Sequence, residues 1–363
     1  MRSVLSALLW CLALATASPS ALAQRTEVGV QTDSTTLSAQ ERSPWLLAPI
    51  LSSNPKLGTS AGALAGYMHY FDEKSRPSIF AVSAQYSDTG SLIGGAFGKA
   101  SFHEDYHRLT GGVVYGNVKN DYDDYLGTGI PLRNDAEMKA VFARYLYRAK
   151  GNGFVGVQGV YQNFGIAGDT AFDDQILDIV GLKPFKSAAL GLVLQADSRD
   201  SENMPSHGWL LNLNNLAFRE ALGSESDYDV YRLEFRHYFP HGNRNVFATR
   251  INNQLTNDAP AAARASVQLR GYKVGQYTSK SMSSIEGEER FRLGEKWTAT
   301  LFAGVACLYG EGNNCSDSAN LYGAGGAGVQ YILKPKEGIV MNLEYAAGKD
   351  GNYGIYLKMG YAY

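Results

Sequence analysis

The residues in this chain whose types and spacing could do chemistry are charges rather than nucleophiles. Arg270 stands in Leu269-Arg270-Gly271-Tyr272, inside the longest gap between two strand-like runs, 245–256 and 284–293. In the second run, the alternation that puts Ile285, Phe291 and Leu293 on one face puts Glu286, Glu288, Arg290 and Arg292 on the other. The same parity places Glu344 on the inner face of a later run. A guanidinium removed from bulk water needs carboxylates or carbonyls around it. The chemistry on offer is therefore ion pairing that holds a loop against a wall, with Glu286 or Glu288 as first partner and Glu344 as the next. The alternative is an exposed loop arginine above a hydrated lumen with unrelated charges.

Other motifs carry less. His103 and His107 are four apart, which makes a metal pair only on a helix, and here they flank a turn. The other histidines lack ligand spacing, so no metal site is expected. Gly323-Ala324-Gly325-Gly326-Ala327-Gly328 fits G-x-G-x-x-G, but that fingerprint works only where a strand runs into a helix. Inside an alternating run, its small residues read better as room for a loop to approach a wall. No G-x-S-x-G elbow stands out, so no catalytic residue and no cofactor are assigned. The acidic clusters Asp121–Asp124 and Asp173–Asp174 fall in expected external loops and read as solvated, with weak cation binding as an outside option.

The elements that must position these residues follow from periodicity. Arg2, an apolar run from Val4 to Ala17 and the small residues up to Ala23 form a signal peptide over 1–23, too short for a membrane-spanning helix. Residues 24–43 are polar, without period, and read as a short flexible segment. From Pro44 the chain alternates with period two. Ile339, Met341, Leu343 and Tyr345 oppose Val340, Asn342 and Glu344, and Tyr353, Ile355 and Leu357 oppose Gly354, Tyr356 and Lys358. Runs of this kind fall at 44–51, 58–71, 78–88, 91–103, 106–117, 137–150, 153–165, 187–199, 208–220, 228–239, 245–256, 284–294, 297–308, 321–333, 338–349 and 352–363. That is sixteen, the even number a closed antiparallel barrel needs. Short turns collect at one end, and the longer loops, near 118–136, 166–186, 257–283 and 309–320, at the other. Aromatic residues cluster at strand ends, as interfacial girdles would place them. The expected fold is all-β: a sixteen-stranded antiparallel transmembrane barrel over 44–363, its sixth external loop folded into the lumen.

Composition is compatible with this. With 40 glycines, 23 tyrosines and 45% hydrophobic residues, the chain suits strands that face lipid on one side and a polar lumen on the other. A net charge of −2 argues against a nucleic-acid partner. Cys307 and Cys315, the two cysteines beyond the signal peptide, suggest one disulfide in an exported protein, with buried free thiols as the alternative.

At this point the residues resemble a family. Leu269-Arg270-Gly271-Tyr272, followed by Gly275 and Gln276, sits between strands eleven and twelve and is similar to the Val-Arg-Gly-Phe/Tyr motif of the BamA/TamA surface-antigen barrels. Asp197-Ser198-Arg199-Asp200, then Pro205 and Gly208, resembles that family's turn between strands eight and nine. The resemblance covers the barrel region. It implies that Arg270 reaches down the lumen to acidic residues on nearby strands. Two features depart from the pattern. Leu301-Phe302-Ala303-Gly304 lacks the acid of the family's Phe-x-Asp-x-Gly, and the polar segment 24–43 is too short for the POTRA domains that receive clients. The expectation is an integral outer-membrane barrel without POTRA domains, not an enzyme, acting in protein or lipid transport or assembly with membrane lipid and a possible client or partner protein. A passive channel and a surface hydrolase are the alternatives.

Overall fold

The computed structural model describes residues 43–54, 58–122, 132–179, 184–260, 263–272, 277–335 and 338–359. The signal peptide, nearly all of the segment 24–43, Gly275 and Gln276 of the loop motif, and most of the Asp121–Asp124 cluster lie outside them.

Among the described residues, sixteen strands form one antiparallel sheet in chain order. They are β1 (Trp45–Asn54), β2 (Gly58–His69), β3 (Ser78–Ser87), β4 (Leu92–Phe102), β5 (His107–Tyr122), β6 (Leu132–Lys150), β7 (Gly153–Gly168), β8 (Phe185–Asp197), β9 (Gly208–Phe218), β10 (Tyr228–His241), β11 (Asn245–Asn257), β12 (Ser281–Arg292), β13 (Trp297–Tyr309), β14 (Leu321–Lys334), β15 (Ile339–Gly348) and β16 (Tyr353–Met359). Each matches one expected alternating run, with the largest differences at the loop ends of β5 and β6. Period two decides which face each residue takes. Leu190, Leu192 and Leu194 of β8 are exposed on the outer face, while Ala189 and Val193, at alternate positions, are buried. Tyr231 and Phe239 of β10 point outward, and Tyr228, Val230 and Tyr238 are buried.

The sheet curls. At the end with short turns, strands near its two edges come into contact: Ile339 of β15 packs with Leu46 of β1 and Met68 of β2, and the Lys334 ammonium donates to the Ser43 carbonyl. The closure expected from an even count is not a hydrogen-bonded ladder here; no β1–β16 pairing is made among the described residues. An outward aromatic row marks the same end, with Trp45 on Tyr67 at 5.0 Å, His69 on Phe71 at 4.7 Å and Phe102 on His107 at 5.2 Å.

At the opposite end the loops are longer. The loop after β7 contains a helix that alternation gave no sign of, α1 (Ala171–Ile179). It corrects the reading of Asp173 as a solvated loop acid, while Asp174 is exposed as expected. Asp173 is buried and accepts from the Thr170 amide at 3.1 Å and hydroxyl at 2.6 Å, and Asp174 accepts from the Gly168 amide at 2.7 Å. Both carboxylates satisfy backbone donors at a helix start, where the dipole also favours them. Cys307 and Cys315 are joined by a disulfide.

Candidate functional site

The loop between β11 and β12 is the sixth at its end of the sheet, and its described residues, 258–260, 263–272 and 277–280, include a segment that packs on β12 and β13. A two-residue ladder, Ala265–Ser266 with Thr278–Ser279, pins its two arms together. Ala265, Val267, Leu269 and Tyr272 form one buried cluster with Met282 of β12 and Ala306 and Leu308 of β13. Alternating apolar residues in the loop thus provide the burial that holds this segment against β12 and β13.

The tip is Arg270, 8% exposed. Its Nη2 donates to Glu286 Oε1 at 2.9 Å, and its Nη1 to Glu288 Oε2 at 2.6 Å and Glu344 Oε1 at 3.4 Å. All three acids considered from the sequence converge on the one guanidinium. Its carbon lies 3.4 Å from the centre of the Phe302 ring, a cation–π contact in a desolvated place. Phe302 stands in the segment that lacks the family's acid; across the β12–β13 ladder it is opposite Glu288, and Gly304 is opposite Glu286. The carboxylates are supplied by the neighbouring strand instead. Gly326 leaves room for the ring, since a Cβ there would sit 2.5 Å from Phe302 Cζ and 2.1 Å from the Tyr345 carbonyl oxygen.

The residues beside Arg270 lock its position. Gly271 has φ +94° and lies against the Ala347–Gly348 backbone, so a side chain there is both strained and crowded. Its amide donates to the Tyr356 hydroxyl at 2.9 Å. The Tyr272 hydroxyl donates to the Gly323 carbonyl at 2.6 Å and accepts from the Lys349 amide at 2.7 Å. The glycine-rich stretch 323–328 therefore serves close packing. Nothing in the sequence marks Phe302 or Tyr356 as a partner of the loop; parity puts Tyr356 on the inner face but does not pair it with Gly271.

The second motif forms a compact turn, 198–207, between β8 and β9. Asp197 receives Arg199 (Nε to Oδ1, 2.8 Å), Arg76 (Nη1 to Oδ2, 2.8 Å) and Arg108 (Nη1 to Oδ2, 3.3 Å). Asp200 closes the turn by accepting from the Ser206 and His207 amides at 2.9 and 3.2 Å and the Ser206 hydroxyl at 2.5 Å. Burial alone would raise its pKa, but these donors, the Ser206 hydroxyl foremost, hold it below the usual carboxylate range. Gly208 takes φ +92°, and a Cβ there would be 2.4 Å from the Ser198 carbonyl oxygen. The turn reaches across the concave side. Glu202 pairs with Lys99 of β4 and, at 3.8 Å, with Arg76. Met204 and Ser201 come up against Gly338, between β14 and β15. The Pro205 carbonyl accepts from Arg290 Nη1 at 3.2 Å.

Arg290 also donates from Nε to Glu288 Oε1 at 2.7 Å. A continuous path of charged hydrogen bonds therefore runs from the sixth loop to the turn: Arg270, Glu288, Arg290, Pro205. Among the described residues there is no group of three or more His, Cys, Asp or Glu arranged to hold a metal ion.

With that geometry in view, comparison with known proteins assigns the family. The Omp85 superfamily domain matches residues 21–362. The chain belongs to the Omp85 superfamily. Its members are outer-membrane β-barrels of protein transport and assembly. Solved structures agree on the fold. BamA from Haemophilus ducreyi lacking POTRA domains 1-3 is similar at a TM-score of 0.54 and 13% identity, over 87% of this chain and 69% of that one. CdiB from Acinetobacter baumannii is similar at 0.57 and 10% identity, over 87% and 59%, and CdiB from Escherichia coli at 0.60 and 10%, over 87% and 62%. This chain thus spans about three fifths to two thirds of the length of those Omp85 structures. No curated protein sequence matches it.

Proposed function

We propose that this Omp85 chain is a loop-plugged outer-membrane barrel, of the BamA/TamA surface-antigen type, that acts in moving or assembling protein or lipid at the outer membrane and is not itself an enzyme. The observation that carries the reading is the surroundings of Arg270. Three carboxylates and an aromatic face meet one guanidinium at the tip of a loop that also buries four apolar side chains against the wall. Such an arrangement is costly to dismantle, because each partner left behind is a buried charge without its counterion. It suits a loop that stays down until something with its own binding energy displaces it. The turn 198–207 closes the other end of the same space, and Arg290 ties the two, so displacing one disturbs the other. The resting pore is shut from both sides. Interfacial lipid meets the outward aromatic rows, and a client or partner protein supplies the displacement.

The test is single-channel recording of the purified protein in a planar bilayer beside Arg270→Ala. A wild type that is closed with rare openings, and a variant that is open for most of the record, is the expected result. Steady large steps in both proteins would mean that the loop does not plug the pore, and a passive diffusion channel would replace this reading.

A further inference from the structure

The inner face carries a second group of arginines that the loop anchor does not use. Arg144 lies on β6, Arg232 and Arg236 on β10 and Arg250 on β11. The ladders set Arg232 between Asn214 of β9 and Gln254 of β11, and Arg236 opposite Arg250. One carboxylate, Glu234, stands among them, and it is occupied: Arg236 Nη2 is 2.6 Å and Arg250 Nη2 3.1 Å from the same Oε1.

Arg144 is held by a neutral group instead. Its Nε and Nη2 both donate to Gln158 Oε1, at 3.0 and 2.6 Å. Gln158 in turn reaches over β8 to β9, where its Nε2 donates to Asn214 Oδ1 at 3.0 Å and to the Asn215 carbonyl at 2.9 Å. Gly191 makes this crossing possible, because a Cβ there would lie 1.7 Å from the Asn215 oxygen. The β8–β9 ladder is interrupted at the same place, between Leu190↔Ala217 and Val193↔Asn214. An amide thus orients Arg144, and the carboxylate it feels, Glu234, is already held by Arg236 and Arg250. Arg232 makes no hydrogen bond or ion pair among the described residues, and it feels Arg144 as a like charge. Both arginines are partly exposed to the interior space. Above them the sixth loop forms a roof: Ala259 and Ala263 pack on the cluster that holds Tyr228 and Val230, and Gln268 Nε2 donates to Gln254 Oε1 at 2.9 Å. Below, Arg199 of the turn lies within electrostatic reach of Arg236.

Gln158 and Asn214 link the two arginines, since Gln158 holds Arg144 and bonds Asn214, which lies opposite Arg232 on the ladder. Like charges brought near each other in a space of reduced dielectric repel, and an anion between them removes that cost. We propose that Arg144 and Arg232 form a binding site for a small oxyanion, a phosphate or a carboxylate, within the lumen. Guanidinium groups suit such oxygens through paired N–H donors, and Arg144 Nη1 and the whole Arg232 fork are unused. The roof and floor restrict the site to small solutes or to one anionic group of a larger one. The site rests on the barrel of the preceding reading; the two arginines stand on the wall strands, so the plug loop limits the size of what reaches them but supplies none of the binding groups.

The experiment is isothermal titration calorimetry of the full chain in detergent micelles, at constant ionic strength in chloride, with inorganic phosphate and separately with succinate. Saturable binding in the millimolar range or tighter to at least one probe is expected. Arg232→Gln should weaken it by about tenfold or more, through loss of a charge-assisted donor. Because Arg232 makes no internal bond, this variant keeps the wild-type heat-modifiable gel migration, so a loss of binding is not a loss of fold. The pair Arg144→Lys and Arg232→Lys, which keeps both charges, should retain binding better than Arg232→Gln. Absence of saturation with both probes, or equal affinity in wild type and Arg232→Gln, overturns the proposal. Arg270→Ala separates the two readings. It should bind phosphate with unchanged affinity, whatever it does to conductance, and a lost site in a folded Arg270→Ala protein would tie the anion to the plug instead and refute an independent site.

Discussion

Arg270 and Arg232 face the same interior from different walls, and their surroundings are opposite. Around Arg270 and Arg290, the wall formed by β12 and β15 gathers Glu286, Glu288 and Glu344, so carboxylates exceed guanidiniums. Around Arg232, the wall from β6 to β11 gathers Arg144, Arg236 and Arg250 about Glu234 alone, so guanidiniums are in excess among the described residues. The turn 198–207 is intermediate, with Arg76, Lys99, Arg108 and Arg199 shared between Asp197 and Glu202 and with Asp105 bonded to Arg108. The contrast separates two uses of buried charge. A compensated arginine is a mechanical fixture, whose removal exposes unpaired acids. An uncompensated one costs folding energy where it stands and is explained by something that arrives from outside.

The largest effect that tests this contrast is expected at Glu288. Glu288→Ala removes the carboxylate shared by Arg270 and Arg290 and should destabilise the fold by about 3–5 kcal/mol, as for other broken buried pairs. The shift in unfolding midpoint of the detergent-solubilised protein, followed by gel migration in urea, measures it. An unchanged midpoint would mean that the anchor is hydrated and no different in kind from the opposite wall.

A smaller effect is expected from acid. Burial would raise the Glu202 carboxyl, but Lys99, Arg76 and Arg199 outweigh it and hold its pKa down at about 2. A depressed carboxyl stabilises the folded state above its ordinary value of 4.5 and loses that contribution as pH falls through about 2. Wild type should therefore lose stability on acidification across that window more steeply than Glu202→Gln, with urea midpoints at a series of pH values as the measurement. Parallel curves would show that the turn's cations do not depend on Glu202.

The smallest effect is expected at Arg232. With no internal bond to lose, Arg232→Gln should change stability by no more than about 0.5 kcal/mol, and relief of repulsion with Arg144 favours a slight gain. A loss comparable to that at Glu288 would erase the distinction between the walls and point to an internal partner for Arg232.

Much of this molecule was legible before its structure. Alternation located all sixteen strands, because a strand with lipid on one side and a polar interior on the other writes its period directly into the residue order. Parity also placed Glu286, Glu288 and Glu344 on the inner face. The helix Ala171–Ile179 escaped because its capping acids look like any solvated loop pair, and a nine-residue helix between strands leaves no long periodic run. The substitution of Phe302 for an acid read as a gap in the anchor. The β12–β13 ladder shows why it is not one: Glu288 directly opposite serves in its place, and the aromatic ring takes the cation's face.

The sequence by itself determined the all-β class, the strand order, the inward and outward faces, and the loop and turn motifs with their signature arginines. All of these are local, set by period two and by turn chemistry within a few residues. Only the tertiary structure decided what those arginines meet. The approach of Arg290 to Pro205, of Arg76 to Asp197 and of Gln158 to Asn214 spans 85, 121 and 56 positions of the chain. Such distances are bridged by the curl of the sheet and the inward fold of two connections, and no periodicity records which inward charges end up facing one another.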